Sequence, residues 1–191
     1  YPLTGSTGDG YKFAEKCGHS IITPKPALVG IELKGKDFLP LQGLSLKNVR
    51  LTVFDETKKV FADFGEMLFT HFGISGPIVL TCSSYVNRLY PEKLTASIDL
   101  KPVLTEEVLD NRLLREFGDN RTKTIAVVIR SLVPSTLVEI IVKRSQLQPT
   151  KICAEITKEE RRRIIATLKN LTFQIKDLRP LEEAIVTSGG V

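Results

Sequence analysis

The residues best suited to chemistry stand together at Phe69-Thr70-His71-Phe72-Gly73-Ile74-Ser75-Gly76-Pro77. An imidazole between two phenylalanines, beside glycines that leave backbone amides open, suits proton transfer or a hydrogen bond to a carbonyl ligand in an apolar cleft. The same residues also fit a packed, neutral histidine held by one backbone bond. A second candidate is the loop Thr4-Gly5-Ser6-Thr7-Gly8-Asp9-Gly10, whose hydroxyls, small residues and following helix have the makings of a phosphate cradle. It lacks the lysine of a P-loop and Asp9 would repel a phosphate, so plain turn and cap chemistry competes with that reading. The chain ends on another glycine-rich run, Val186-Thr187-Ser188-Gly189-Gly190-Val191.

No other constellation is self-sufficient. Glu106-Glu107 and Glu182-Glu183 are adjacent pairs, which diverge on a helix or a strand and make a poor acid and base couple. Cys17, Cys82 and Cys153 are far apart and without CxxC spacing, and the chain has only 2 histidines, His19 and His71. That argues against a zinc site and a disulfide framework, so no metal is expected and the thiols read as free in a reducing cytoplasm.

The 191 residues carry 42% hydrophobic and 26% charged side chains, an ordinary globular balance. No apolar run approaches the ~20 residues of a membrane helix, so no membrane partner is expected. The formal charge of +5 permits an anionic partner, but 27 Lys and Arg are scattered among 22 Asp and Glu. The densest basic cluster, Arg161-Arg162-Arg163, directly follows Glu159-Glu160 and reads as a solvated helix face rather than a nucleic-acid site. Both ends fall inside glycine-rich loops and position 1 is not Met, so the chain reads as a piece of a longer protein.

The elements that must position these loops follow from periodicity. Tyr11, Phe13, Ala14 and Cys17 mark a short helix after Gly8 or Asp9, with Gly18 as its cap. Strand patterns run over Ala27 to Leu33, Leu46 to Phe54, Lys59 to Phe64 and Lys93 to Leu100, with Asp55-Glu56-Thr57-Lys58 as a hairpin turn. Pro77 suits the first turn of a helix over about 77 to 89. From Thr105 the period turns helical: Thr105 to Phe117 closed by Gly118, Thr122 to Leu132, Pro134 to Gln146, then a helix opened by the capping box Thr157-Lys158-Glu159-Glu160. Ile164, Ile165 and Leu168 form its buried stripe, with the arginines outward. Phe173 to Leu178 alternates again as a strand, and Glu183 to Val186 enters a final extended segment. The expected fold is α+β, a small β-barrel-like subdomain with an inserted helical subdomain. Its boundaries are 1–23 for a junction loop and helix, 24–104 for the β-rich part, 105–171 for the helices and 172–191 for the return strand and second junction.

Taken together, Tyr1 to Tyr11, Gly18-His19, Pro26-Ala-Leu-Val29, Leu44 to Val49, Gly65 to Pro77 and Glu183 to Val191 resemble the central portion of the HI0933-like, BaiN/YhiN-type family of FAD-dependent flavoproteins. The resemblance covers nearly the whole chain and is most specific from Phe69 to Pro77. It implies an insert built from a β-barrel and a helical subdomain, set into an FAD-binding domain of the same parent chain. This sequence has neither the GxGxxG turn for the ADP moiety nor a later Gly-Glu flavin segment. The resemblance further implies FAD in the parent, NAD(P)H as a candidate electron donor, and a substrate-capping role in a reductase, dehydrogenase or oxidase of a small organic molecule. Tyr1, Pro2, Thr4, Gly5, Ser6, Thr187, Gly189 and Gly190 would lie near the cofactor, Phe69, Thr70, Phe72 and Gly73 at the substrate pocket, and His71 would orient substrate or relay a proton. A stand-alone barrel module for nucleic acid and an oligomerisation domain are the competing readings.

Overall fold

The computed structural model describes residues 5–191. α1 (Asp9–Lys16) leads into β1 (Ile22–Ala27). β2 (Ile31–Leu33), β3 (Ser45–Asp55), β4 (Lys58–Phe69), β5 (Gly73–Ser75), β6 (Leu94–Asp99) and β7 (Leu171–Leu178) close into a barrel in the order β2-β5-β4-β3-β6-β7. Outside the barrel β1 pairs antiparallel with β8 (Val186–Gly190). α2 (Pro77–Val86) follows β5, while α3 (Glu106–Asp119), α4 (Ile125–Leu132), α5 (Ser135–Arg144) and α6 (Lys158–Lys169) are inserted between β6 and β7. This is the expected α+β fold, a barrel interrupted by helices.

Alternation builds the barrel. Leu51 and Val53 of β3, Met67 and Phe69 of β4, Ile74 of β5 and Ile175 of β7 are all buried. Each such side chain contributes about 1.5–3 kcal/mol by leaving water. In β3 the buried positions step from Leu46 to Val49, out of period 2, because Asn48 takes a φ of 57° and inserts an irregularity that asparagine tolerates. The hairpin between β3 and β4 turns through Glu56, also left-handed at φ 53°, and Thr57. α2 lies close on β4: a side chain at Gly65 would meet Ile78 at 2.6 Å, and one at Gly76 would come within 2.9 Å of the Met67 Cα. Ser83 of α2, fully buried, accepts from the Val29 amide at 3.0 Å and donates to the Leu80 carbonyl at 2.7 Å.

The chain divides into two compact units. A barrel unit holds the residues up to Lys47 with Leu51–Ala96 and Phe173–Val191, and a helical unit holds Asn48–Arg50 and Ser97–Thr172. Within the helical unit α6 packs against α3 and α5, and α4 against α5. Leu109, Leu113, Ile125, Ile129, Leu137, Ile141, Ile164 and Leu168 make its core. The segments before α4 and after α5 are zipped by backbone: Ile125 N–H donates to Lys151 O at 2.8 Å, Cys153 N–H to Lys123 O at 2.9 Å and Ala154 N–H to Arg121 O at 3.1 Å. The capping box of α6 is formed in both directions, Glu160 N–H to Thr157 Oγ1 at 3.2 Å and Thr157 N–H to the Glu160 carboxylate at 2.8 Å.

Four expectations are corrected. The strand over Ala27 to Leu33 is two strands, because Leu28 turns the chain at φ 53° and Gly30 must pass close beneath Phe72. Gly118 lies inside α3 rather than closing it, and Asn120 caps that helix. Gly73 to Ser75, read as loop, is barrel strand β5, too short for a period to show. The arginines of α6 do not all face water. Arg161 donates to Asp110 through Nε at 2.5 Å and Nη2 at 3.2 Å, and Arg163 reaches the Ser145 carbonyl at 2.9 Å, leaving Arg162 exposed.

Candidate functional site

The loop of β4 to β5 is held by its own backbone. Thr70 N–H donates to Gly73 O at 2.8 Å, Gly73 N–H to Thr70 Oγ1 at 3.2 Å, and Leu33 N–H to Phe72 O at 3.1 Å. Phe69 is fully buried, edge-on to Phe173 with ring centroids 5.7 Å apart, so it supports the loop from the core instead of lining an open pocket. Thr70 and Phe72 are half-buried and Gly73 is buried. The His71 ring is exposed and stands edge-on to Phe72 at 5.1 Å.

Phe72 in turn is covered by Arg179, whose guanidinium carbon lies 4.7 Å from the ring centroid. Beneath both runs Gly30, where a side chain would overlap Phe72 at 2.7 Å. Arg179 donates from Nη1 to Glu32 at 2.7 Å, from Nε to Glu183 at 2.9 Å, and from Nη2 to the second Glu183 oxygen. Lys176 adds a bond to the other Glu32 oxygen at 2.8 Å. The charges explain the acidities. Lys176 holds the Glu32 carboxyl below its ordinary value against the opposing effect of burial, with Arg179 helping. Arg179 does the same for Glu183, against the opposing effect of burial. With both carboxylates ionised, Arg179 is neutralised: it is a clamp on Phe72 and its loop, not a free anion receptor.

A cavity of about 580 Å³ opens beside this cluster, lined among others by Lys25, Glu32, Asn87, Asp177, Arg179 and Leu181. Asn87 is fixed by donating to the Pro26 carbonyl at 3.0 Å. Val86, Leu89 and Ile175 form an apolar part of the lining. Arg179 and Glu32 belong to both the cavity wall and the loop clamp, so cavity and His71 loop are mechanically joined.

The terminal glycine loops form a second group. Gly5, Ser6, Gly8, Asp9 and Tyr11 line a cavity of about 560 Å³ with Val191. Thr187 pairs with Pro26 and Gly190 with Ile22 in the β1–β8 ladder, and Ser188 pairs with Lys25. Gly189, at φ 103°, leaves no room for a side chain, which would lie 2.9 Å from the Ile22 and Thr23 carbonyls. The two loops read as separate motifs in sequence are therefore neighbours. Tyr1, Pro2 and Thr4 lie outside the described residues. Asp9 accepts from Thr7 Oγ1 at 2.7 Å and from Lys12 at 2.9 Å, which keep its carboxyl ionised at the start of α1. A phosphate placed at the start of α1 would meet that carboxylate.

Arg179, Glu32 and Lys176 escaped the sequence reading, which took Glu183 only as half of the adjacent pair Glu182-Glu183. Only the spacing of Arg179 and Glu183, four residues apart, hinted at a pair; Glu32 meets them across the β2–β7 ladder. Cys17, Cys82 and Cys153 are free, and burial pushes the Cys82 thiol up to about 12. Among the described residues no helix is long and apolar enough to cross a membrane.

Residues 25–186 match the HI0933-like protein barrel and H2TH domain. Along its whole length the chain is 32% identical to a ribosomal RNA dihydrouridine synthase of Haemophilus influenzae and 29% identical to one of Escherichia coli, covering 45% of each. It is 25% identical over 98% of its length to a 3-dehydro-bile acid delta(4,6)-reductase of Clostridium scindens, covering 46% of that protein. The chain thus spans less than half the length of these relatives.

Proposed function

Since the chain belongs to the HI0933-like family, we propose that it is the barrel-and-helix part of an FAD-dependent reductase that hydrogenates a carbon–carbon double bond conjugated to a carbonyl. The relatives' names carry this reading. Making dihydrouridine adds two hydrogens across the uracil double bond next to a carbonyl, and a delta(4,6)-reductase of a 3-dehydro bile acid does the same to a dienone. One chemistry covers both. It needs a two-electron donor above the double bond and a proton donor or hydrogen bond where charge gathers on the oxygen.

FAD would supply the electron chemistry, refilled by NAD(P)H, and would be held by an FAD-binding domain of the same polypeptide. The 1–23 and 172–191 segments would be the junctions to it. There Tyr1, Pro2, Thr4, Gly5, Ser6, Thr187, Gly189 and Gly190 would edge the flavin. The insert would cap the substrate and exclude water, with Thr70, Phe72 and Gly73 shaping the pocket and His71 orienting the substrate through its carbonyl or relaying the proton that the carbon next to that carbonyl receives. The two relatives matched along the whole chain favour an RNA base as substrate. The small-molecule substrate expected from the sequence is kept as a second reading by the bile-acid reductase. Free cysteines fit a reducing compartment, and we place the protein in the cytoplasm.

The test uses the longer protein that contains this chain, loaded with FAD and given NADPH with ribosomal RNA or with a conjugated steroid dienone. A two-hydrogen mass gain in uridine from the RNA is expected. His71→Ala should keep its flavin and lose about 10²-fold in turnover. Reduction of neither substrate would overturn the reaction class, and unchanged turnover of the variant would remove His71 from it.

A further inference from the structure

The scattered charge of the sequence is not scattered in space. Residues 48–50 and 97–172, the helical unit, hold fifteen Lys and Arg against ten Asp and Glu; the rest of the chain holds twelve of each. The whole formal charge of +5 therefore belongs to the helical unit. Within it many cations are already engaged. Arg161 is paired with Asp110, Lys169 with Asp99, Lys151 with Glu160 and Arg112 with Glu116. A stretch from Asn120 to Val138 is different, with Arg121, Lys123 and Arg130 and no Asp or Glu. These three are exposed, and none makes an ion pair among the described residues. Their backbone is not loose, because the Arg121 and Lys123 carbonyls accept from Ala154 and Cys153. Val127 and Arg130, three residues apart on α4, share one exposed side of that helix, and Arg121 and Lys123 lie in the segment that leads into it.

From this, and resting on the reading of RNA as substrate, we infer that the Arg121–Lys123–Arg130 face of the helical unit is a binding surface for the RNA phosphate backbone. Three unneutralised cations on a fixed frame attract a polyanion and release its counterions on contact. The unit's composition sets the type of contact. Its sole aromatic residue is Phe117, buried at 7% exposure, so no base can stack there and the contacts go to phosphates. The surface would position RNA without reading its sequence, while base chemistry falls to the barrel unit with His71 and Phe72.

The experiment titrates the 191-residue chain with a fluorescent RNA hairpin between about 50 and 200 mM salt. Substituting all three residues (Arg121→Gln, Lys123→Gln, Arg130→Gln) should lower affinity at about 50 mM salt by at least tenfold and reduce the magnitude of the salt slope by about 2–3. Arg130→Gln alone should reduce it by about 1. An equal charge change on the barrel unit, Lys34→Gln with Lys36→Gln and Lys59→Gln, should leave the slope unchanged. Loss of affinity with the barrel variant equal to that with the helical one overturns the inference, as does a triple variant with unaltered slope, or no binding at the lowest salt. Those results leave RNA reduction by the longer protein standing, whereas failure of that reduction with intact salt-dependent binding overturns the substrate reading alone.

Discussion

Arg179 meets three groups at once, the carboxylates of Glu32 and Glu183 and the face of Phe72. A planar guanidinium does this with a fixed fork and a stacking face; an ammonium has neither. Arg179→Ala should cost about 1–3 kcal/mol, part from the lost charge-assisted bonds and part from the stack. Its sharper signature is local. Hydrogen exchange at Gly73 and Leu33, whose amides anchor the His71 loop, should speed up at least tenfold, and Arg179→Lys should recover only part of the protection. Unchanged exchange in the alanine variant would mean the loop holds itself without the clamp. His71 itself was legible by type, because few residues titrate near neutrality. Its clamp was not, since Arg179 and Glu32 are 147 positions apart and ordinary in composition.

Two glycines show how an element decides what a residue type means. Gly73 opens β5 at φ 153°, where a side chain would overlap the Ile31 carbonyl and lie 2.7 Å from the Leu33 amide nitrogen. Gly73→Ala should therefore force β5 from β2 and cost about 3 kcal/mol, read as a lowered denaturation midpoint. Gly118 reads in the sequence as a helix stop, yet α3 runs through it, and a methyl group added there would meet nothing within 4 Å. Gly118→Ala should stabilise by about 0.5–1 kcal/mol by lowering backbone entropy loss. If both changes move the midpoint the same way, the assignment of these two backbones is wrong. Long elements with caps were legible, as Thr105 and Thr157 show for α3 and α6. Three-residue strands such as β2 and β5 were not, because neither is long enough to show a period and β2 pairs only with strands far along the chain.

At the scale of the molecule, paired carboxylates set the response to acid. Arg161 holds Asp110 below its ordinary 3.8, and Lys151 holds Glu160 and Lys176 holds Glu32 below 4.5. Each group binds protons more weakly folded than unfolded, so its contribution is complete above the unfolded value and is lost as pH falls through the folded one. Thermal midpoints should be flat from about pH 5 to 7 and drop below about 4. Asp110→Asn should lower the plateau and shallow the acid limb; an acid limb identical to that of the unaltered chain would discount the pair. At the alkaline end Cys82 acts oppositely: its raised value means stability is lost as pH climbs from 9.0 towards about 12. By itself the sequence determined the α+β class, the barrel strands long enough to alternate, the capped helices, the family resemblance and the His71 loop. All of these are written in neighbouring residues, within the reach of a single period or cap. Only the tertiary structure decided the Arg179 clamp and the meeting of the two terminal glycine loops. Each of those joins residues far apart in the chain, and the pairing of distant strands, β2 with β7 and β1 with β8, leaves no local periodic mark.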